Sequence, residues 1–490
     1  SEKSGALFYE KIPTRQIWRK MEDESKFKRL DFSTPAYNIG ETELSLNFGF
    51  SKNELDRVFD ETEFIFEPLK SDEELWKNNI DSTFYALSPE VFSLPAPNVQ
   101  PNSGLDTNNF INHPTYTNAL AYSSKTKATD YSGEERIRSA YIGALLEFEN
   151  QYRLHFGTRV ERYKINVEPK PDSERTTIGP YVEQWQIDKI LEGVESSKVS
   201  NAENELYPSI TLAKDFEVGI KTSISYGETT ARPNFRELAY VETYDPIRER
   251  LFSGNPSLVP SKIKNYDLRV DWNLSERDIL SISLFKKEIK DPIQAIYLST
   301  NSLEIPYNDS ILSYRSGTDL FVNSQQGEVY GVELEGKIGL EEISELLHGF
   351  RLGGNLTWSQ SSVNISNLEK SLYPNESSID YNKFNVANRY ERPLEGQSEW
   401  IYTIDLSYNN EDLGLISTLV YSFYDERLFA GAFGYPDDLW EDSFSTLDFI
   451  STYNFGKNMD WSVKFSAKNL TAENRQIKVR NHNAIDEQYP

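Results

Sequence analysis

Apolar and polar residues alternate along much of this chain, and the alternation is strictest between Leu206 and Trp272. Tyr266, Leu268, Val270 and Trp272 share one face of a segment whose other face carries Asn265, Asp267, Arg269 and Asp271. A period of two predicts a strand with one apolar and one strongly polar side. The polar side holds charges of both signs. A soluble sandwich has no place for that side except solvent, whereas a membrane barrel turns apolar residues to lipid and charged ones to a wet lumen.

The same pattern predicts a series of hairpins. Residues 1–41 are weakly patterned: a strand end is conceivable near Ser4–Tyr9, and Trp18 to Phe32 reads as a charged loop. Glu43–Phe50 is the first clear strand, with a partner at about Arg57–Glu67. Residues 68–135 lack a period, and Pro95, Pro97 and Pro101 deny regular structure there. Arg138–Phe148 pairs with Tyr152–Val167, whose Leu154, Phe156 and Val160 oppose Arg153, His155, Arg159 and Glu161. After a polar loop over 168–205, strands are expected at Leu206–Lys214, Val218–Tyr226, Asn265–Trp272 and Asp278–Lys287. Residues 288–327 read as loop. Val329–Lys337, Phe350–Ser359, Trp400–Tyr408, Leu413–Tyr424, Phe444–Phe455 and Trp461–Ala467 complete about fourteen strands.

Short turns and long loops alternate between these strands, as they do in an outer-membrane barrel and in no obvious soluble fold. In the segment at Trp400 the aromatic ends are eight residues apart. At ~3.3 Å per residue and a ~40° tilt, this spans roughly 20 Å, close to an apolar band of ~25 Å. Composition agrees: aromatic residues make up 13%, with 29 Tyr and 27 Phe, which favours strands and interfacial girdles. The net charge of -26 argues against nucleic acid, whose backbone needs clustered Lys and Arg. Cysteine is absent, so there is no disulfide framework and no thiolate metal site. No run of eighteen apolar residues predicts a transmembrane helix.

Several stretches also resemble a known family. Pro208-Ser-Ile-Thr-Leu212, Tyr226-Gly-Glu-Thr-Thr-Ala-Arg-Pro-Asn-Phe-Arg-Glu-Leu238, Gly254-Asn-Pro-Ser-Leu258 and Asn265-Tyr-Asp-Leu268 occur in this order. Phe156-Gly-Thr-Arg-Val-Glu161 and Arg392-Pro-Leu-Glu-Gly-Gln-Ser398 add to them. Together they resemble the barrel of TonB-dependent outer-membrane receptors. The resemblance implies an all-β, antiparallel up-and-down transmembrane barrel over residues 1–490, lacking the plug and holding about 14–16 of the family's twenty-two strands. It implies active uptake of a scarce ligand (a siderophore, cobalamin or a glycan) across the bacterial outer membrane with TonB-supplied energy. The partners would be a plug domain of the same protein, the TonB complex through parts not in this chain, the lipid bilayer, and a small ligand at extracellular loops. A passive porin-like or adhesive barrel shares the strand pattern and stays open. The chain stops at Glu487-Gln-Tyr-Pro490 without the family's terminal aromatic strand, so the sheet is expected to be incompletely closed, with unpaired edges.

Nothing in the sequence looks catalytic. His113, His155, His348 and His482 sit on separate segments, and no HExxH, GxSxG or P-loop pattern occurs. His155, near Arg159 and Glu161, reads as a wall residue before it reads as part of a hydrolase. No cofactor and no metal site is expected, and with no histidine between Arg232 and Pro256 the haem receptors of the family are a poor fit. Arg232, Asn234 and Arg236 are candidates for ligand contact from the loop, although Pro233 and Asn234 also suit a purely shaping role. Arg153, Arg159, Glu161, Asp267, Arg269, Glu333, Glu335 and Lys337 are expected on the lumen face. There they would meet the plug or pair across strands.

Overall fold

The computed structural model describes residues 14–68, 119–122, 130–170, 193–245, 250–298, 303–308, 310–314, 317–366, 391–433, 438–457 and 459–479. Fourteen long strands form one antiparallel sheet in which each pairs with the next along the chain. They are β1 (Thr14–Ser33), β2 (Thr42–Pro68), β3 (Asp130–Phe148), β4 (Tyr152–Lys170), β5 (Val199–Asp215), β6 (Ile220–Ala231) and β7 (Ser261–Asn273). β8 (Ile279–Lys290), β9 (Gln326–Gly339), β10 (Phe350–Asn364), β11 (Trp400–Asn410), β12 (Leu415–Tyr424), β13 (Phe444–Phe455) and β14 (Trp461–Ala467) follow. Three short strands, Tyr37–Ile39, Ala119–Tyr122 and Glu391–Arg392, pair at the margins of this wall. Connections at one end are short, as in residues 149–151, 216–219 and 274–278, and those at the other end are long. Gly219 sits in such a turn at φ 77°, a conformation that costs glycine nothing. Among the described residues β1 and β14 do not pair with each other, so both are edges.

Two expectations near the start of the chain fail, and they offset each other in the strand count. The region from Trp18 to Phe32 is not a loop but most of β1, and Glu43–Phe50 and Arg57–Glu67 are not a hairpin but parts of the single strand β2. Ser33 pairs with Asn47 and Thr14 with Phe66, without a break in between. Beyond Phe50 the apolar side of β2 turns charged (Lys52, Glu54, Asp56), which mimics a turn in sequence although the period of two continues. Main-chain pairing and cross-strand ion pairs hold this part together; Arg57 binds both oxygens of Asp23, at 2.7 and 2.6 Å. Ser4–Tyr9 lies outside the described residues.

Strand register aligns the apolar sides into continuous rows. One row runs Leu212, Ile224, Leu268, Leu284, Val332, Trp358 and Trp400 across seven strands. A second runs Val270, Ile282, Leu334, Leu356, Tyr402 and Phe423, ending in a stacked aromatic pair with centroids 4.9 Å apart. Phe156, Trp400, Ile404 and Leu406 are exposed, Leu154, Leu268 and Val270 half-buried, and none packs into a closed interior.

Burial is concentrated instead at the long-loop end, where loops fold into a cap. Residues 288–327, expected as loop, hold the strands Ile293–Leu298, Leu303–Tyr307, Ser310–Tyr314 and Thr318–Asn323. Ile293–Leu298 and Thr318–Asn323 join Glu242–Asp245, Arg250–Ser253, Arg427–Phe433, Leu439–Glu441 and Ile477–Val479 in a seven-stranded sheet. Ile296, Leu298, Leu303, Leu312, Tyr314 and Leu320 are buried there with Leu238 and Val241. This cluster reaches down to Tyr131, Tyr163, Ile165 and Val167, which extend the polar side of β3 and β4 beyond the apolar rows. Ile293–Leu298 and Thr318–Asn323 are buried on both faces and carry no alternation, which is why the sequence pattern hid them; Leu303–Tyr307 and Ser310–Tyr314 do alternate but span only five residues each.

Candidate functional site

All eight residues expected on the lumen side lie on one face of the wall. Arg153, Ala213, Ser223, Arg269, Ser283 and Glu333 form a single cross-strand row. Arg159 and Glu161, Asp267, and Glu335 and Lys337 fall on the same side because each is an even number of residues from that row. It is the side opposite the apolar rows.

The charges there gather at two heights. Toward the short turns, Arg269 donates to Asp271 Oδ1 at 2.8 Å, Glu335 Oε2 at 3.2 Å and Ser283 Oγ at 3.3 Å, while Ser281 donates to Asp271 at 2.6 Å. A cavity of ≈ 410 Å³ opens above them, lined by Arg269, Glu333, Glu335, Lys337, Asn355 and Asp405. Among the described residues Asp267, Glu333 and Lys337 enter no ion pair. Arg153 is held at the turn end by Asp215 at 2.9 Å.

Toward the cap the network closes on itself. Arg232, the first residue after β6, reaches Glu161 at 2.7 Å, the Tyr207 hydroxyl at 2.9 Å and Glu205 at 3.3 Å. Its guanidinium also stacks 4.6 Å from the centroid of Tyr163. Arg159 adds a bond to Glu161 at 2.5 Å. This cluster spans a split in the wall: β5 and β6 pair only up to Ser209 and Gly227, and beyond that point each follows its other neighbour. Arg232 bridges the split and fixes where the chain leaves the wall.

The other two loop candidates shape the same exit. Asn234 caps the one-turn helix Phe235–Leu238, accepting the Glu237 N–H at 3.0 Å while Glu237 accepts its N–H at 2.9 Å. Burial lifts the Glu237 carboxyl above its ordinary value. Arg236 lies exposed over the ring of Phe252 at 4.2 Å. The structure thus brings Arg232 together with Arg159 and Glu161 on the polar face, and leaves Asn234 and Arg236 at the cap.

Sequence reasoning missed the polar hubs of the cap, although both lie in stretches already noted. Asn255 donates to the Phe321 carbonyl at 3.0 Å and accepts from Ser257, tying one loop to the next. Gly254 beside it admits no side chain, since a Cβ would come within 2.1 Å of the Ala239 carbonyl. In the second stretch Gln397 donates to Ser359 Oγ at 2.8 Å and accepts from Ser361 at 2.6 Å, while Arg392 donates to Gln294 at 3.1 Å. Tyr240 accepts the Ser313 N–H at 3.0 Å and donates to the Ser313 carbonyl at 2.8 Å, and burial pushes its hydroxyl up to about 12. A signature can be recognised in a sequence without showing what its residues bond to.

His155 faces Leu145 and Thr211, and no carboxylate pairs with it among the described residues. His348 is in a short turn, and His113 and His482 lie outside the described residues. Among the described residues no group of three or more His, Asp or Glu is arranged to hold a metal ion.

Comparison with known proteins places these features in context. The family described as TonB dependent receptor-like, beta-barrel matches residues 10–470. A search of curated proteins found no match. Among solved structures, the chain is similar to the ferric-catecholate import receptor Fiu from E. coli K12, at a TM-score of 0.51 and 11% identity over 92% of this chain and 51% of that one. It is similar to the ferric citrate transporter FecA (0.55, 9%, 95% and 54%) and to the siderophore receptor PiuA from Acinetobacter baumannii (0.52, 12%, 93% and 53%). At these identities the likeness is one of fold, and the chain spans about half the length of each of the three.

Proposed function

Because the chain belongs to the TonB-dependent receptor β-barrel family, we propose that its fourteen strands form wall of an outer-membrane receptor that takes up a scarce ligand with TonB-supplied energy. The observation that carries this reading is the separation of faces: unbroken apolar rows on one side of the wall, and Arg269, Glu333, Glu335 and Lys337 around an open cavity on the other. The apolar rows suit lipid. The polar face suits a plug domain of the same protein, docked against charges such as Glu333 and Lys337, which enter no ion pair among the described residues.

The ligand meets the outer face of the cap, where Asn234 and Arg236 are exposed. Arg232 supports them from below, with its charge taken up by Glu161 and Glu205. The solved receptors named above, which handle ferric catecholates, ferric citrate and siderophores, favour a ferric chelate over a glycan or cobalamin.

Uptake by cells producing the parent protein separates the two open readings. Accumulation of a radioactive ferric chelate should stop when the inner-membrane proton gradient is dissipated. Uptake that continues unchanged, and does not saturate, would point to the porin-like alternative.

A further inference from the structure

On the first four strands, the border of the apolar belt is drawn by charge. The uppermost apolar row there is Leu30, Phe50, Ala140 and Val160. Two residues further along each strand, on the same face, the register aligns Lys28, Lys52, Arg138 and Arg162 side by side. Neighbouring strands lie ~4.8 Å apart, so four cations occupy a line of roughly 15 Å. Like charges directly opposite each other in a sheet are destabilising, and a row of four calls for a counter-charge.

The chain supplies little of it. Lys52 reaches Glu54 at 2.5 Å, but among the described residues Lys28, Arg138 and Arg162 enter no ion pair and all three are exposed. One row higher the situation differs. Lys26 is paired with Glu24 at 2.7 Å and Arg136 with Asp56 at 2.6 Å, which leaves Lys164 as the one cation of that row in no ion pair among the described residues. Elsewhere the border of the belt is aromatic, with Tyr226 and Tyr266 5.2 Å apart and Trp358 near Trp400. Lys286, which falls among those rings, is held by Glu288 and Glu328. Lys264 on β7 lies in register between Glu228 and Glu288, whereas the row across β1–β4 sets four cations side by side with no carboxylate among them.

We propose that Lys28, Lys52, Arg138 and Arg162 bind the phosphate headgroup of a phosphorylated lipid whose acyl chains lie on the apolar rows below. The inference rests on the reading of this sheet as a membrane wall. A cation row immediately above an apolar surface matches an anion joined to a hydrocarbon chain, and long basic side chains reach a headgroup while their stems cover apolar surface. Arginine adds paired donors to phosphate oxygens. A soluble anion would have no use for the apolar rows.

The full chain, reconstituted in phosphatidylcholine vesicles containing phosphatidic acid of the same acyl composition, tests this. Lipid retained by the extracted protein is counted by native mass spectrometry. Phosphatidic acid should be enriched over phosphatidylcholine, and Lys28→Gln/Lys52→Gln/Arg138→Gln/Arg162→Gln should cut the enrichment by about tenfold or more. Lys28→Arg/Lys52→Arg should keep it, as should Lys286→Gln/Lys290→Gln at the aromatic side. Excess inorganic phosphate should not displace the lipid.

Undiminished enrichment in the quadruple variant overturns the proposal, as does equal loss in Lys286→Gln/Lys290→Gln or displacement by free phosphate. The single variant Arg162→Gln, which should lose a measurable part of the enrichment, covers the case in which the quadruple variant does not fold. Flotation with pure phosphatidylcholine vesicles keeps the two readings apart. If the wild-type chain floats but shows no headgroup preference, only the lipid site falls; if it does not float, the membrane wall falls with it.

Discussion

Ile404 in the wall and Leu320 in the cap are aliphatic residues in the middle of β-strands, yet the first is 49% exposed and the second 0%. The wall buries little of its apolar surface against the protein; its rows are continuous, regular and open. The cap has few regular features, but it holds nearly the whole buried core, built from loops far apart in sequence. One solvent cannot suit both regions. If water covered the wall, its rows would form an exposed apolar area far larger than soluble proteins tolerate; in lipid the same rows are at home. The cap follows the ordinary rule of apolar residues inside and polar hubs satisfied, and water suits it.

Arg232 stands where the two regions meet, and its removal should have the largest effect. Arg232→Ala leaves Glu161 and Glu205, both nearly buried, without their shared cation. Stranding buried charges costs about 3–5 kcal/mol, and the low end is expected because Arg159 and Lys262 also reach these carboxylates. Hydrogen exchange should quicken in residues 234–245 and 250–258 while β8–β12 keep their protection. If wall and cap loosen together, the division drawn here is wrong.

The wall itself is probed by Ile404→Arg. With lipid against this face and the residue near mid-depth, the substitution should cost about 2–4 kcal/mol in a bilayer, read from urea unfolding in vesicles. In a soluble sheet the same change on an exposed face would be nearly neutral. That contrast decides which solvent the wall sees.

The two regions also differed in how far the sequence disclosed them. Tyr266 to Trp272 could be assigned to faces residue by residue, because a strand with one apolar side writes its period directly into the chain. The shared polar face of the eight residues expected to line a lumen followed from the same parity. β1 was lost because both of its sides are polar, and β2 was cut in two where its outer side turns from Phe50 to Lys52. The cap strand Ile293–Leu298 has apolar residues on both faces and therefore no period to read. The bonding of Asn255 and Gln397 lay deeper still, since their partners Phe321 and Ser359 are brought close only by folding. The row of Lys28, Lys52, Arg138 and Arg162 needed the register of four strands before it could be seen at all.

Gly254→Ala sharpens the cap side of the comparison. A methyl group 2.1 Å from the Ala239 carbonyl cannot be accommodated without moving backbone, and overpacking of this kind costs about 1–3 kcal/mol. The Asn255 hub should shift with it, so the amides of Ser257 and Val259 should exchange faster. Alanine at a glycine of the wall with more room, such as Gly227, whose nearest neighbour to a Cβ is 3.8 Å away, should leave stability nearly unchanged.

The smallest effect expected is at Asn234, and it separates scaffold from contact. Asn234→Ala removes one half of the capping box and should cost about 1 kcal/mol, confined to the helix Phe235–Leu238. The other half carries a pH signature. Burial raises the folded-state pKa of Glu237 above the unfolded value of 4.5, so the folded cap binds a proton more readily than the unfolded one. Its stabilising contribution is complete below the unfolded pKa and is lost as pH rises through the raised folded value. Amide exchange at Leu238 and Ala239, corrected for intrinsic rates, should therefore show better protection at the acid end of that window, and Glu237→Gln should flatten the dependence. If Asn234→Ala instead left protection unchanged and weakened only the binding of a ferric chelate, Asn234 would be a ligand contact and not a cap, and the exit from the wall would have to be held by Arg232 alone.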